Sequence, residues 1–130
     1  MTISLTDSAT AFVTERHLAT LTTLRADGLP HVTPVGFTWD AEAGIARVIT
    51  SAASMKARNA ALGHPVVLCQ LEGRRWLSLE GVARVSSDRA DVAEAERRYA
   101  ARYRVPRENP TRVVIEIAVT RVYGSPEFRG

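Results

Sequence analysis

Cysteine is almost missing from this chain: Cys69 stands alone among 130 residues. A single thiol excludes an internal disulfide, and the simplest compartment is the reducing cytoplasm. Long apolar runs are missing as well, since none approaches the roughly 18 residues that a membrane span needs. Met1 to Asp7 carries neither a basic start nor an apolar block, so no signal peptide is expected. Lysine is as scarce as cysteine. Of the 17 basic side chains only Lys56 is a lysine, and the rest are arginine. The excess over the 14 acidic groups is small, the arginines are scattered among acids, and no aromatic-basic stripe appears. Nucleic acid is therefore not an expected partner. His17, His31 and His64 lie far apart and Cys69 has no second cysteine nearby, so no metal site is expected. The Walker loop, the G-x-G-x-x-G turn and the G-x-S-x-G elbow are all absent.

What remains is a globular composition, 45% hydrophobic and 24% charged, in a length that suits one domain over residues 1–130. Thr6 or Asp7 can cap a first helix to about Arg16, with Ala11 and Phe12 on its apolar side. Leu18 to Arg25 has strand composition. Ala26-Asp27-Gly28 is a hairpin signal, because Asp-Gly tolerates positive φ. His31 to Trp39 returns as one strand, with Pro34 placing it at an edge or bulge. Asp40 to Gly44 turns the chain into a strand at Ile45 to Thr50. A short helix, Met55 to Leu62, stops at Gly63, with Pro65 just beyond. Val66 to Glu72 and Arg75 to Ser86 are strands, and Gly81 marks a bulge or bend in the second. Ser87 or Asp88 caps a helix to about Tyr103, with Val92, Ala95 and Tyr99 at helical spacing. Arg104 to Pro110 is a loop, and Val113 to Val122 is the last strand. Six strands joined mostly by hairpins, with three helices, predict a mainly β chain folded as a closed antiparallel barrel.

Chemical character concentrates between Arg47 and Asn59. A strand ends in Thr50 and Ser51, and a helix opens after Ser54. Hydroxyls, free amides and the one ammonium group suit an anion, with Lys56 neutralising its charge. The same pattern also suits a plain capped helix with solvated Lys56 and Arg58. Trp76, beside Arg74 and Arg75, can wall a flat ligand or simply pack. Cys69 alternates with Val67 and Leu71, which reads as buried packing. His31 suits a general acid or, more commonly, a satisfied surface or barrel-rim histidine, and no side chain stands out as the proton donor. Val114 and Ile115 are adjacent and apolar, so the last strand is expected to be buried on both faces, as at a subunit contact.

Taken in order, several stretches resemble the flavin-binding split β-barrel superfamily that includes pyridoxamine 5'-phosphate oxidase. They are Leu18 to Val32, Val35-Gly36-Phe37, Thr50-Ser51 with Ser54-Met55-Lys56-Ala57, and Leu79 to Val85. Arg75 to Gly81, Arg98-Tyr99-Ala100 with Arg102-Tyr103-Arg104, and Arg112 to Glu116 are similar to the actinobacterial deazaflavin-dependent oxidoreductases, in particular their F420-dependent biliverdin reductase subgroup. The resemblance implies a six-stranded split barrel, a homodimer, and cofactor sites at the dimer interface. It also implies roles for particular residues. Val32, Pro34 and Val35 would line the isoalloxazine-like ring. Ile49, Thr50 and Ser51 would support the tail, and Ser54, Met55, Lys56 and Asn59 would hold the phosphate. Trp76 and Leu77 would approach from a facing strand. In the oxidases an arginine grips the FMN phosphate at the position that is Thr33 here. Its loss leans toward coenzyme F420, whose phosphate is a diester in a longer, carboxylate-bearing tail. The implied activity is hydride transfer from reduced F420 to a conjugated acceptor of the biliverdin type. Arg75 and Arg104 would be its substrate-binding groups, from a wider set including Arg102 and Arg107. FMN-dependent amine oxidation and a non-enzymatic carrier of flavin, deazaflavin or haem are the alternatives on the same fold.

Overall fold

The computed structural model describes residues 3–129. Helix α1 (Asp7–Thr14) is capped by the Thr6 hydroxyl, which accepts from the Ala9 N–H. It buries Ala9, Phe12 and Val13, while Ala11 faces solvent. Phe12 is buried as expected, Ala11 is not, and the helix ends at Thr14, two residues before Arg16. The strands are β1 (Ala19–Leu24), β2 (Pro30–Val35), β3 (Thr38–Asp40), β4 (Ile45–Ser51), β5 (Pro65–Glu72), β6 (Arg75–Ser86) and β7 (Arg112–Gly124). Helix α2 (Met55–Ala60) follows β4, and α3 (Arg89–Arg102) joins β6 to β7. Ser54 and Asp88 cap these two helices with their side chains. A last 3-10 turn, Pro126–Phe128, stacks Phe128 on Phe12.

All pairings are antiparallel, in the order β2-β1-β5-β6-β7-β4-β3. The two edges, β2 and β3, are consecutive in the chain and separated only by Gly36 and Phe37. Val35 and Thr38 are thus within about 10 Å of each other, the reach of three extended residues. The sheet must curl until its edges meet. They are not paired, so the curled sheet stays open on that side.

This corrects two expectations. There are seven strands, not six, because His31 to Trp39 is broken at Gly36-Phe37, and the barrel is not closed. The cause lies in α3. The Phe37 N–H donates to Tyr103 Oη (3.2 Å), and the Phe37 carbonyl accepts from Arg102 Nη1. A backbone whose groups go to helix side chains cannot continue the ladder.

The curled sheet encloses Leu21, Phe37, Leu68, Leu79, Ile115 and Ile117, all at most 1% exposed. Gly81 sits at the β6 irregularity, opposite Val119. Helix α3 packs outside β4 and β7 through a polar layer in which Arg98 meets Asp40 at 3.2 Å and Arg112 meets Glu96 at 2.7 Å. Burial alone would raise the Asp40 pKa. The hydrogen bond from Arg47, the Ala43 N–H and the charges of Arg98 and Arg47 outweigh it and hold the carboxyl below its ordinary value. Val114 shares its strand face with Arg112 and Glu116, so it lies beneath α3 of the same chain. The double-sided burial of β7 is real, and this chain's own helix supplies it. Cys69, Val67 and Leu71 point outward, opposite the buried Val66, Leu68 and Gln70, which corrects the expectation of a buried Cys69.

Candidate functional site

A cleft of about 340 Å³ opens where the end of β2, the end of β4 and the loop after α3 converge. Pro34, Val35 and Ile49 give it an apolar wall, and Thr50, Ser51 and Lys56 line the β4-α2 side. From the later chain come Tyr99, Arg104, Arg107, Asn109 and Arg112.

Local sequence explains the β4-α2 side. The Thr50 hydroxyl donates to Ser54 Oγ (3.0 Å), which accepts from the Ala57 N–H as the helix cap. Ser51 Oγ accepts from Asn109 Nδ2 (3.0 Å), and the Asn109 carbonyl oxygen is taken up by Thr111. The hydroxyl proton of Ser51 is left to donate, as are the three protons of Lys56. No carboxylate lines the cleft.

Arg25, Arg47, Arg75, Arg84, Arg97, Arg98 and Arg112 all have acidic partners. Among the described residues Lys56, Arg104 and Arg107 have none, as is also true of Arg16, Arg58, Arg74, Arg89, Arg121 and Arg129 elsewhere; in the cleft the three share one cavity with no carboxylate in its lining. A cleft lined by donors, with unpaired cations and no competing acid, is built for a polyanionic ligand.

The structure gathers part of the expected set here: Pro34, Val35, Ile49, Thr50, Ser51, Lys56 and Arg104. Ser54 stands behind this lining as the helix cap, and Met55 is exposed outside it. Asn59 is buried and donates to Thr23 Oγ1 (3.1 Å), which pins α2 to β1. Thr33 faces the interior of the curled sheet opposite Leu21, whereas Val32 points outward and is 59% exposed. Trp76 is on the outer sheet face, and Leu77 is sealed in the core at 1% exposure. Arg75 lies elsewhere. It caps the Phe12 ring at 4.7 Å and meets Glu15 at 3.4 Å. Arg102 is turned inward and takes no part in the cleft.

Tyr99, Asn109 and Arg112 were not read as site residues. Tyr99 sits in the helical stripe, and its spacing gives no sign that the stripe runs out of the core into a cleft. Asn109 and Arg112 enter because the loop Arg104 to Pro110 folds back over β4. Its two prolines, with Arg104 and Arg107, are the signal that the sequence carries.

The model of the pyridoxamine 5'-phosphate oxidase family matches residues 5–125. An F420H(2)-dependent biliverdin reductase of Mycobacterium tuberculosis (strain CDC 1551 / Oshkosh) is 59% identical over 127 residues, covering 98% of this chain and 93% of that protein. Among solved structures, the conserved hypothetical protein Rv2991 of Mycobacterium tuberculosis superposes with a TM-score of 0.79 at 24% identity, over 94% of this chain and 85% of that one. A structure described as an F420 reductase gives 0.71 at 23% identity, over 87% and 94%. These two likenesses establish the fold.

Proposed function

The chain belongs to the pyridoxamine 5'-phosphate oxidase family, and from that premise we propose that it is an F420-dependent oxidoreductase reducing a conjugated acceptor of the biliverdin type. The observation that carries this reading is the donor-lined cleft, seen in a chain 59% identical to an F420H(2)-dependent biliverdin reductase. F420 is a flat ring on a phosphodiester tail that ends in carboxylates. The cleft offers an apolar wall, then hydroxyls, then unpaired cations. That order of chemistry fits the coenzyme.

When bound, F420 supplies a hydride from a ring carbon. The chain's residues bind and orient it. Pro34, Val35 and Ile49 would receive the ring, Thr50 and Ser51 would hold the start of the tail, and Lys56 would neutralise the phosphodiester. Arg107 would meet the outer carboxylates. Thr33 brings no charge to the position where an FMN-binding oxidase would have its phosphate-gripping arginine, so FMN is the weaker fit.

A homodimer belongs to the same proposal. Val32, Leu71, Trp76 and Val82 stand 59, 64, 37 and 52% exposed on the outer face of β2, β5 and β6. Registry puts Val32 beside Thr22 and Val67, and Leu71 beside Trp76, so the face is broad and largely apolar, with Glu80 beside Val67 and Arg121 beside Glu80 as its charged pair. Such a surface favours a second copy. Trp76 would then reach toward the neighbouring copy's cleft. No helix among the described residues is long and apolar enough to cross a membrane.

Titration of the purified protein with F420, FMN and haem tests the reading. Saturable F420 binding, tighter than that of FMN, is the expected result. Tight FMN with no F420 binding would reverse it, and F420 binding without turnover of any acceptor would favour a carrier. Lys56→Ala should weaken F420 by about 10- to 100-fold, since a hydrogen bond to a charged group is worth roughly 1.5–3 kcal/mol. Its melting temperature should hold, because Lys56 makes no internal contact that the fold needs. Deazaflavin fluorescence reads the affinity, and unchanged binding would remove Lys56 from the site.

A further inference from the structure

A second cleft, also about 340 Å³, abuts the first and shares Tyr99 and Arg104 with it. Its other walls are Arg16, His17, Leu18 and Tyr103. We propose that this is the acceptor compartment, seating one end of a planar, carboxylate-bearing molecule with Arg16 and Arg104 as its charged contacts. The proposal rests on the assignment of the neighbouring cleft to F420.

The shared wall is Tyr99, which in the second cleft pairs with Tyr103 one helical turn on, with ring centroids 4.9 Å apart and planes tilted by 36°. Paired aromatic faces favour a flat conjugated partner. The pair is fixed, not mobile. Tyr103 Oη accepts from the Phe37 N–H and donates to the His17 carbonyl (2.6 Å). Burial raises the Tyr103 pKa, partly offset by Arg102 and the Phe37 backbone, so its hydroxyl keeps its proton. The rings also lie directly on Gly36: a Cβ there would stand 3.0 Å from Tyr103 and 3.1 Å from Tyr99.

Charge supports the same occupant. No carboxylate lines this cleft. Glu15 and Glu72 are nearby but engage His17 at 2.9 and 3.3 Å. Arg16 is exposed and, among the described residues, has no ion-pair partner. An acceptor lying along the tyrosine wall with its carboxylates on Arg16 and Arg104 would adjoin the cofactor compartment at its shared side. That adjacency is what a hydride acceptor requires.

Arg16→Ala is the direct probe, because Arg16 lines only this cleft. Biliverdin and its dimethyl ester are titrated into cofactor-free protein by quenching of tryptophan fluorescence. The parent should bind biliverdin roughly tenfold more tightly than the ester, and Arg16→Ala should lose most of that preference. The variant's F420 affinity and melting temperature should not move. A preference that survives Arg16→Ala, or no biliverdin binding by the parent, overturns the compartment. F420 titration of the same preparation decides the cofactor assignment separately.

Discussion

Arg102→Ala should unfold this protein at a much lower temperature than any surface arginine variant. Its guanidinium has no carboxylate partner. It donates instead to the Glu15 carbonyl (2.9 Å), the Phe37 carbonyl and Gln70 Oε1 (2.7 Å), and it lies over the Phe37 ring at 4.8 Å. Gln70 in turn donates to the Phe12 carbonyl (2.7 Å). One side chain therefore ties α3 to the end of α1, to β5 and to the break between β2 and β3. Burial lowers its pKa, with Tyr103 and Glu15 pulling the other way. Removal takes the donor from Gln70 Oε1, leaves the Phe37 carbonyl only the longer contact from Tyr103 Oη (3.3 Å), and frees the exposed Glu15 carbonyl to water. At about 1–3 kcal/mol for each unmade bond, less for the exposed Glu15, the total loss is about 3–5 kcal/mol. For a chain of this size that is a fall in melting temperature on the order of 10–20 °C. Arg102→Lys should recover only part of it, since an ammonium cannot reproduce the planar fork. Calorimetry of the three proteins reads both effects. A drop below about 1 kcal/mol would show that the network contributes little.

Gly81→Val should be nearly as damaging for a different reason. A Cβ at Gly81 would stand 2.2 Å from the Ala118 carbonyl oxygen and 2.8 Å from its carbon. Those atoms are backbone of the adjacent strand, so no rotamer change relieves the contact. Either β6 and β7 separate or the bulge shifts register. Overpacking of this kind costs about 3 kcal/mol or more. Urea unfolding should give a correspondingly lower midpoint with a similar slope. A midpoint equal to the parent's would mean that the close approach of β7 is not required for the fold.

These two positions also show where sequence was sufficient and where it was not. Gly81 was readable, because a glycine within an alternating strand signals a bulge or a close backbone. The caps were readable to within a residue, as Thr6 or Asp7 and Ser87 or Asp88, because capping is a matter of three or four residues; Thr6 and Asp88 fill the role. The Thr50-Ser51-Lys56 side of the cleft was readable on the same grounds. The break at Gly36-Phe37 was not. The alternation Val35, Phe37, Trp39 continues through it, and its cause is a pair of side chains, Arg102 and Tyr103, on a helix more than sixty residues later. Arg102 and Arg104 differ in role for a similar reason. Arg102 is the last residue of α3 and turns into the protein, whereas Arg104 opens the loop beyond it and turns into the cleft. Composition cannot tell them apart, because the point at which the helix ends decides it. Arg75 illustrates the limit from the other side. Its place beside Trp76 suggested a ligand contact, yet packing on Phe12 and pairing with Glu15 carry it away from the cleft.

On the proposed function, this donor-lined cleft holds a deazaflavin which gives its hydride to a conjugated, carboxylate-bearing acceptor. Stopped-flow mixing of protein loaded with reduced F420 against biliverdin tests it most directly. Reoxidation of F420 well above the rate without protein, slowed in Lys56→Ala at subsaturating cofactor, is the predicted result. Reoxidation no faster than the protein-free rate, at F420 concentrations shown by titration to saturate the site, would contradict it.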